Sequence, residues 1–167
     1  KKKNMVVTMH DVSLLHEKEM SPKFTHYYRN ALDLLKKASV PIIVVSVQAK
    51  NDAIRFAGFA EDQVHAIPNG INFEQFRPLL KKKNETFKMV YAGGLSPRKN
   101  LDLLIDACEI LEKRHVDFQL EIAGNYPELT PYPNKVKEMG LKQIKFKGFL
   151  HDDSMNEFYN GADLMVY

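Results

Sequence analysis

Lys88-Met89-Val90-Tyr91-Ala92-Gly93-Gly94-Leu95-Ser96-Pro97-Arg98-Lys99-Asn100 is the stretch whose reading decides the fold. An apolar run rich in β-formers stops at two glycines. A short polar turn carrying two cations follows, and a helix is predicted to begin near Asn100. Strand, glycine turn and helix together make a βα unit, which is also the frame of an anion site. Gly93 and Gly94 let backbone N–H groups approach a phosphate, the helix N-terminus adds a positive partial charge, and Arg98 and Lys99 add full ones. The same residues also read as a plain βα turn with a solvated lysine, and this window alone leaves both readings open.

Downstream, the spacing predicts a helix over 100–114 with Leu101, Leu104, Ala107, Cys108 and Leu111 on one face. A strand over 118–123 ends at Gly124. A loop with three prolines covers 125–133. A short helix ends at Gly140, and a strand covers 144–146. Asp152 or Asp153 is expected to cap a helix running to Tyr159, and a last strand covers 164–167. Upstream, residues 79–85 turn abruptly lysine-rich and polar, as a charged surface linker would. The linker is therefore set at 81–86, between domains at 1–80 and 87–167.

The first half shows the same alternation. A short apolar strand over 6–9 ends at His10-Asp11. Ser21 before Pro22 signals a helix start. That helix is expected over 22–38, with Phe24, Tyr27, Tyr28, Ala31, Leu34, Leu35 and Ala38 facing inward. Ile42-Ile43-Val44-Val45 suits a strand buried on both faces. A helix over 48–57 closes at Gly58, and a strand over 63–67 runs into Pro68-Asn69-Gly70, a strong turn signal. Residues 72–78 read as loop with one helical turn.

Strands alternating with helices in both halves imply an α/β fold with parallel sheets and right-handed crossovers. Ligands bind such sheets at the carboxyl ends of strands. Those ends are His10-Asp11, Ser46, Asn69-Gly70, Gly93-Gly94, Gly124-Asn125 and Gly148-Phe149. The chain opens almost directly on a strand and closes inside one, with about three strands per half. Both domains are therefore expected to be incomplete here.

Composition narrows the function classes. A 44% hydrophobic content is that of a soluble globular protein. A net charge of +3 over 167 residues is too small to argue for nucleic acid. Lys1–Lys3 and Lys81–Lys83 read as solvated tail and linker. The single cysteine excludes an internal disulfide, and Cys108 reads as a small core residue. No apolar run approaches the ~20 residues of a membrane span, and no signal peptide is visible. A cytoplasmic setting follows, and Lys36-Lys37 on a helix offers a peripheral contact with the inner membrane face. His10, His16 and His26 lack metal-ligand spacing, so no metal is implied.

Seven motifs now fall in one order. They are Val7-Thr8-Met9-His10-Asp11, Ile43-Val44-Val45-Ser46, Ile67-Pro68-Asn69-Gly70-Ile71-Asn72 with Phe76-Arg77-Pro78, the quoted stretch through Leu101, Leu120-Glu121-Ile122-Ala123-Gly124, Ile144-Lys145-Phe146-Lys147-Gly148-Phe149, and Tyr159-Asn160-Gly161-Ala162-Asp163-Leu164. The chain resembles family 4 of the retaining glycosyltransferases over nearly its whole length. The resemblance implies two Rossmann-like domains of GT-B type. Residues 1–80 would be the last part of the acceptor-side domain, and 87–167 the opening part of the nucleotide-sugar domain.

The implied activity moves a sugar from a nucleoside-diphosphate sugar to a hydroxyl of a glycan or lipid-linked acceptor, with retention. No separate cofactor is implied, since the nucleotide-sugar is the donor substrate. Negative charge grows on the departing diphosphate, and fixed cations and backbone donors stabilise it. By similarity, Lys99 is the cation on the diphosphate, with Gly93 and Gly94 allowing close approach and Arg98 beside it. Gly124, Gly148 and Phe149 would lie near base and ribose, Phe149 having a core residue as its other reading. His10 would face the transferred sugar and acceptor, or be a strand-end histidine with a structural hydrogen bond.

Two departures stand out. The family usually carries arginine where Gly94 stands, and a charge-assisted contact of that kind is worth ~1.5–3 kcal/mol. The glutamate pair that grips donor sugar and ribose would follow Tyr167. This 167-residue chain is accordingly expected to bind UDP or GDP weakly at best and not to transfer sugar alone. Two alternatives stay open: a non-catalytic nucleotide-sugar-binding protein of the same fold, and a nucleotide-sugar epimerase. The Pro97-Arg98-Lys99-Asn100 turn speaks against the epimerase.

Overall fold

A computed structural model describes residues 5–12, 15, 22–80 and 83–167. Ser21 as a cap, His16, Lys1–Lys3 and Lys81-Lys82 lie outside the described residues. The chain divides into two compact units, residues 1–71 and 72–167.

The first unit is a three-stranded parallel sheet of β1 (Val7–Met9), β2 (Ile42–Val44) and β3 (Val64–Ala66), in that order. α1 (Pro22–Lys37) and α2 (Val47–Ala57) make the crossovers. Ile42, Val44 and Val64 are fully buried, as a continuous β-branched run requires. Ser46 caps α2, its hydroxyl oxygen accepting from the Ala49 N–H at 3.0 Å, and Gly58 closes it at φ +72.

The buried face of α1 differs from the expected one. Leu32 is buried, with Tyr28 and Leu35 packed against the same core. Phe24, Tyr27 and Leu34 are exposed, as are Ala31 and Ala38. At 100° per residue the apolar residues of α1 share one stripe of about 160°, and the edge that carries Leu32, Tyr28 and Leu35 is the part that meets the sheet. Lys36 is held by the helix it crosses: its ammonium donates to the Ala57 carbonyl at 2.8 Å and pairs with Asp33 at 2.7 Å. Only Lys37 of that pair remains exposed as a charge for a surface contact.

The second unit is a doubly wound sheet. β4 (Phe87–Ala92), β5 (Phe118–Ala123), β6 (Ile144–Gly148) and β7 (Leu164–Met165) are all parallel, in the order β6-β5-β4-β7. α3 (Leu101–Lys113) and α4 (Tyr132–Glu138) share one core with the sheet, built from Leu101, Ile105, Cys108, Leu120, Ile122, Tyr132 and Val136. α5 (Asp152–Asn160) packs against Val90 and Ala123 through Phe158. Burying each large aliphatic side chain is worth roughly 1.5–3 kcal/mol. On α3, Ile105 takes the inward place expected of Ala107, which is exposed.

Glu121 is the buried charge of this sheet, at 8% exposure. Lys88 on β4 reaches it at 2.9 Å and Lys147 on β6 at 3.9 Å, so the carboxylate is paired from both neighbouring strands. At α5 the N-cap position is His151, which makes no side-chain cap bond. Asp152 and Asp153 stand inside the first turn, where they favour the helix dipole rather than cap it.

The division between units falls before the lysine-rich stretch rather than within it. Residues 72–80 are strapped to α5. Asn156 Oδ1 accepts from the Arg77 N–H at 3.1 Å, and Asn160 Oδ1 accepts from the Leu79 N–H at 2.8 Å. The Asn160 amide also donates to the Arg77 carbonyl at 3.0 Å. Two asparagines thus stand in for a neighbouring backbone strand, and composition does not report such bonds. Pro68-Asn69-Gly70 forms no hydrogen-bonded turn, whereas the helical turn expected within 72–78 is present. Asn72 Oδ1 accepts from the Glu74 and Gln75 N–H groups, and the Phe76 N–H closes on the Asn72 carbonyl at 2.9 Å.

Candidate diphosphate site of the second unit

In a parallel sheet wound in both directions, a crevice opens where the strand order reverses, at the carboxyl ends of the strands. Here the reversal lies at β4, whose neighbours β5 and β7 are reached by crossovers on opposite faces. Gly93 and Gly94 leave β4 at that point.

The turn is held from three sides. The Gly93 N–H donates to the Ala123 carbonyl at 3.1 Å, and the Gly124 N–H donates to the Gly148 carbonyl at 2.9 Å. The ends of β4, β5 and β6 are thereby tied edge to edge beyond the sheet ladder. The Tyr91 hydroxyl folds forward and donates to the Gly94 carbonyl at 3.0 Å. Leu95 is buried and anchors the far side.

Gly124 is required sterically, because a Cβ there would run into the Gly93 carbonyl. A Cβ on Gly93 would press on the Tyr91 hydroxyl at 3.0 Å. Gly94 differs: it is exposed, and a side chain there meets nothing within 4 Å. Gly148 ends β6 at φ +69, a conformation that favours glycine.

Pro97–Lys99 forms a single 3-10 turn, and the Lys99 N–H donates to the Ser96 carbonyl at 2.9 Å. Asn100 follows at φ 51 and ψ 44, and α3 starts at Leu101. Asn100 occupies the N-cap position without a side-chain cap bond. Tyr126, on the next βα loop, is also left-handed at φ 48. Two non-glycine residues therefore carry backbone strain on the loops that follow β4 and β5.

Arg98 is exposed, and Lys99 is half-buried. The Lys99 ammonium donates to the Tyr167 hydroxyl at 2.9 Å and lies 4.5 Å from the centre of its ring. That hydrogen bond and the charges of Lys99 and Arg98 hold the Tyr167 phenol below its ordinary pKa. Burial pushes the Tyr91 phenol up, with Lys99 working against it. Gly93, Gly94, Arg98 and Lys99 thus share one βα loop with two tyrosines in electrostatic reach.

Gly124 and Gly148 end the adjacent strands, so the row from Gly93 to Gly148 spans two strand spacings, about 10 Å. Phe149 is 59% exposed, which removes its core reading, and its ring meets His151 edge-on at 5.2 Å. His10 is exposed just beyond β1 in the first unit, a separate compact body. Tyr91 and Tyr167 were not singled out from sequence. The signal for Tyr167 is topological: the strand that pairs with β4 on its far side must deliver its next residue to the reversal point.

Among the described residues, no group of three or more His, Cys, Asp or Glu is placed to hold a metal ion. Nor is any helix among them long and apolar enough to cross a membrane.

The chain matches the family Glycosyl transferases group 1 over residues 72–167 and belongs to it. It is 26% identical over 187 aligned residues to the serotype-specific mannosyltransferase WbdA of Escherichia coli, which covers 97% of this chain and 22% of that protein. TarM and WaaG are two of the solved structures that share its fold. TarM superposes with a TM-score of 0.72 at 16% identity, over 96% of this chain and 30% of that one. WaaG, a glycosyltransferase involved in lipopolysaccharide biosynthesis, gives 0.68 at 18% identity, over 96% and 49%. The fold is that of the GT-B glycosyltransferases, and the chain spans less than half the length of each of these three proteins.

Proposed function

We propose that the second unit binds the diphosphate of a nucleoside-diphosphate sugar, as the donor half of a retaining, family 4-type glycosyltransferase in glycan or glycolipid synthesis. The observation that supports this reading is that Gly93-Gly94 leaves β4 at the reversal of strand order and that Lys99, on the same βα loop, is in electrostatic reach of Tyr91, whose hydroxyl donates to the Gly94 carbonyl. Bond cleavage at the anomeric carbon leaves charge on the diphosphate oxygens. A fixed ammonium and the adjacent Arg98 stabilise that charge without reorganising when it forms.

The nucleoside would extend along the strand ends past Gly124 toward Gly148 and the exposed Phe149 ring. His10 is assigned the acceptor side of the reaction on the resemblance alone. The nucleotide-sugar is the only small molecule this chemistry needs, with neither a cofactor nor a metal. The mannosyl transfer in WbdA's name and the lipopolysaccharide role in WaaG's are consistent with a glycan acceptor. Lys37 and the exposed apolar face of α1 suit a peripheral contact with the inner membrane face.

The test is titration calorimetry of the chain with UDP and with GDP. Saturable binding of one of them, weakened by added salt and competed by inorganic pyrophosphate, is expected. No heat from either nucleotide at millimolar concentration overturns the reading.

A further inference from the structure

The donor-site reading leaves Tyr167 without a task, and this inference rests on that reading. Lys99 and Tyr167 are far apart in sequence and arrive by different routes. Lys99 comes at the end of the turn after β4, and Tyr167 comes just beyond β7. They meet because β7 pairs with β4 across the reversal, Met89 with Leu164 and Val90 with Met165. The Val166 N–H donates to the Val90 carbonyl at 2.8 Å, which fixes where Tyr167 leaves the sheet.

One hydrogen bond fixes the ammonium, which lies beyond the hydroxyl edge of the Tyr167 ring rather than over its face. The Tyr167 hydroxyl takes one of the ammonium's three N–H bonds at 2.9 Å, and the ring centre lies 4.5 Å away. A lysine stem is flexible and loses much rotamer freedom when it must hold one position.

We propose that Tyr167 is a positioning residue for Lys99: its hydroxyl holds the ammonium at the carboxyl ends of β4 and β7, leaving two N–H groups for the diphosphate. The ordering of the lysine is then complete before the nucleotide arrives.

The experiment titrates UDP and GDP into the chain and into Tyr167→Phe, Tyr167→Ala, Lys99→Met and the Tyr167→Ala/Lys99→Met double variant. It also follows each tyrosine by 13Cζ NMR across the alkaline pH range. Tyr167→Phe and Tyr167→Ala are each expected to weaken binding roughly fivefold, with Tyr167→Ala adding nothing once Lys99 is gone. The Tyr167 phenol is expected to ionise below the other tyrosines. Lys99→Met should return it toward the ordinary range, with the Arg98 charge leaving a small residual shift. A merely structural tyrosine would produce neither the non-additivity nor that shift. If Tyr167→Ala binds as wild type while Lys99→Met has lost binding, the positioning role is wrong and the donor site stands. If Lys99→Met binds both nucleotides as tightly as wild type, the donor reading fails and this proposal fails with it.

Discussion

The carbonyl oxygen of Gly93 occupies the space that a side chain on Gly124 would need. Two strand ends are packed backbone to backbone at the candidate site, and neither can retreat. Gly93 is tied to Ala123 through its N–H, and Gly124 is tied to Gly148. Gly124→Ala is therefore expected to destabilise the second unit by about 1–3 kcal/mol, the usual range for overpacking against a fixed neighbour. Urea unfolding checks the value. An unchanged midpoint would mean that the Gly93 turn is free to move.

Gly94 makes the opposite case. Its surroundings are open, and its φ is not among the left-handed ones, so a long side chain is tolerated. Gly94→Arg adds a third cation to the loop that carries Arg98 and Lys99, at the position where the resemblance implies an arginine. Nucleoside-diphosphate affinity should rise roughly tenfold or more, with a steeper loss on adding salt. Calorimetry at two salt concentrations measures both. Unchanged affinity would put the anion elsewhere.

Asn160 tests the strap over 72–80. Its side chain accepts from Leu79 and donates to the Arg77 carbonyl and to Asn156. Asn160→Ala is expected to cost about 1–2 kcal/mol and to raise amide exchange at Leu79 while leaving β4 and β5 protected. Uniform loss of protection across the unit would assign Asn160 to the core instead.

Much of this fold was legible in sequence because each signal was local. Phe87–Ala92 and Phe118–Ala123 coincide with their expected strands, and Gly58 closes α2 as expected. Gly93, Gly94, Arg98 and Lys99 fall on one βα loop because seven residues of sequence hold them all. What escaped depended on tertiary pairing. α1 turns Leu32 rather than Phe24 and Tyr27 to the core, a choice made by the sheet beneath it. The Asn156 and Asn160 bonds join residues about 80 positions apart, and Tyr167 reached Lys99 only through the β4–β7 pairing.

Cys108 offers a pH test. It is 1% exposed, and burial, then the Glu112 charge, pushes its thiol from 9.0 up to about 11. The unfolded thiol thus loses its proton first. The stabilising difference is fully present below about pH 9 and is lost as pH climbs toward about 11, worth roughly 2–3 kcal/mol. The pH dependence of unfolding in wild type minus that in Cys108→Ala isolates this contribution. In the folded protein the thiol should also resist aromatic disulfide reagents at neutral pH, and rapid labelling without denaturant would contradict its burial.

The account stands or falls on where a nucleoside diphosphate sits. Amide chemical-shift mapping of the 15N-labelled chain during titration with UDP or GDP answers that directly. The largest changes are expected at Gly93, Gly94, Lys99 and Gly124, extending to Gly148 and Phe149. Saturable changes confined to any other part of the second unit, with these amides still, would contradict it.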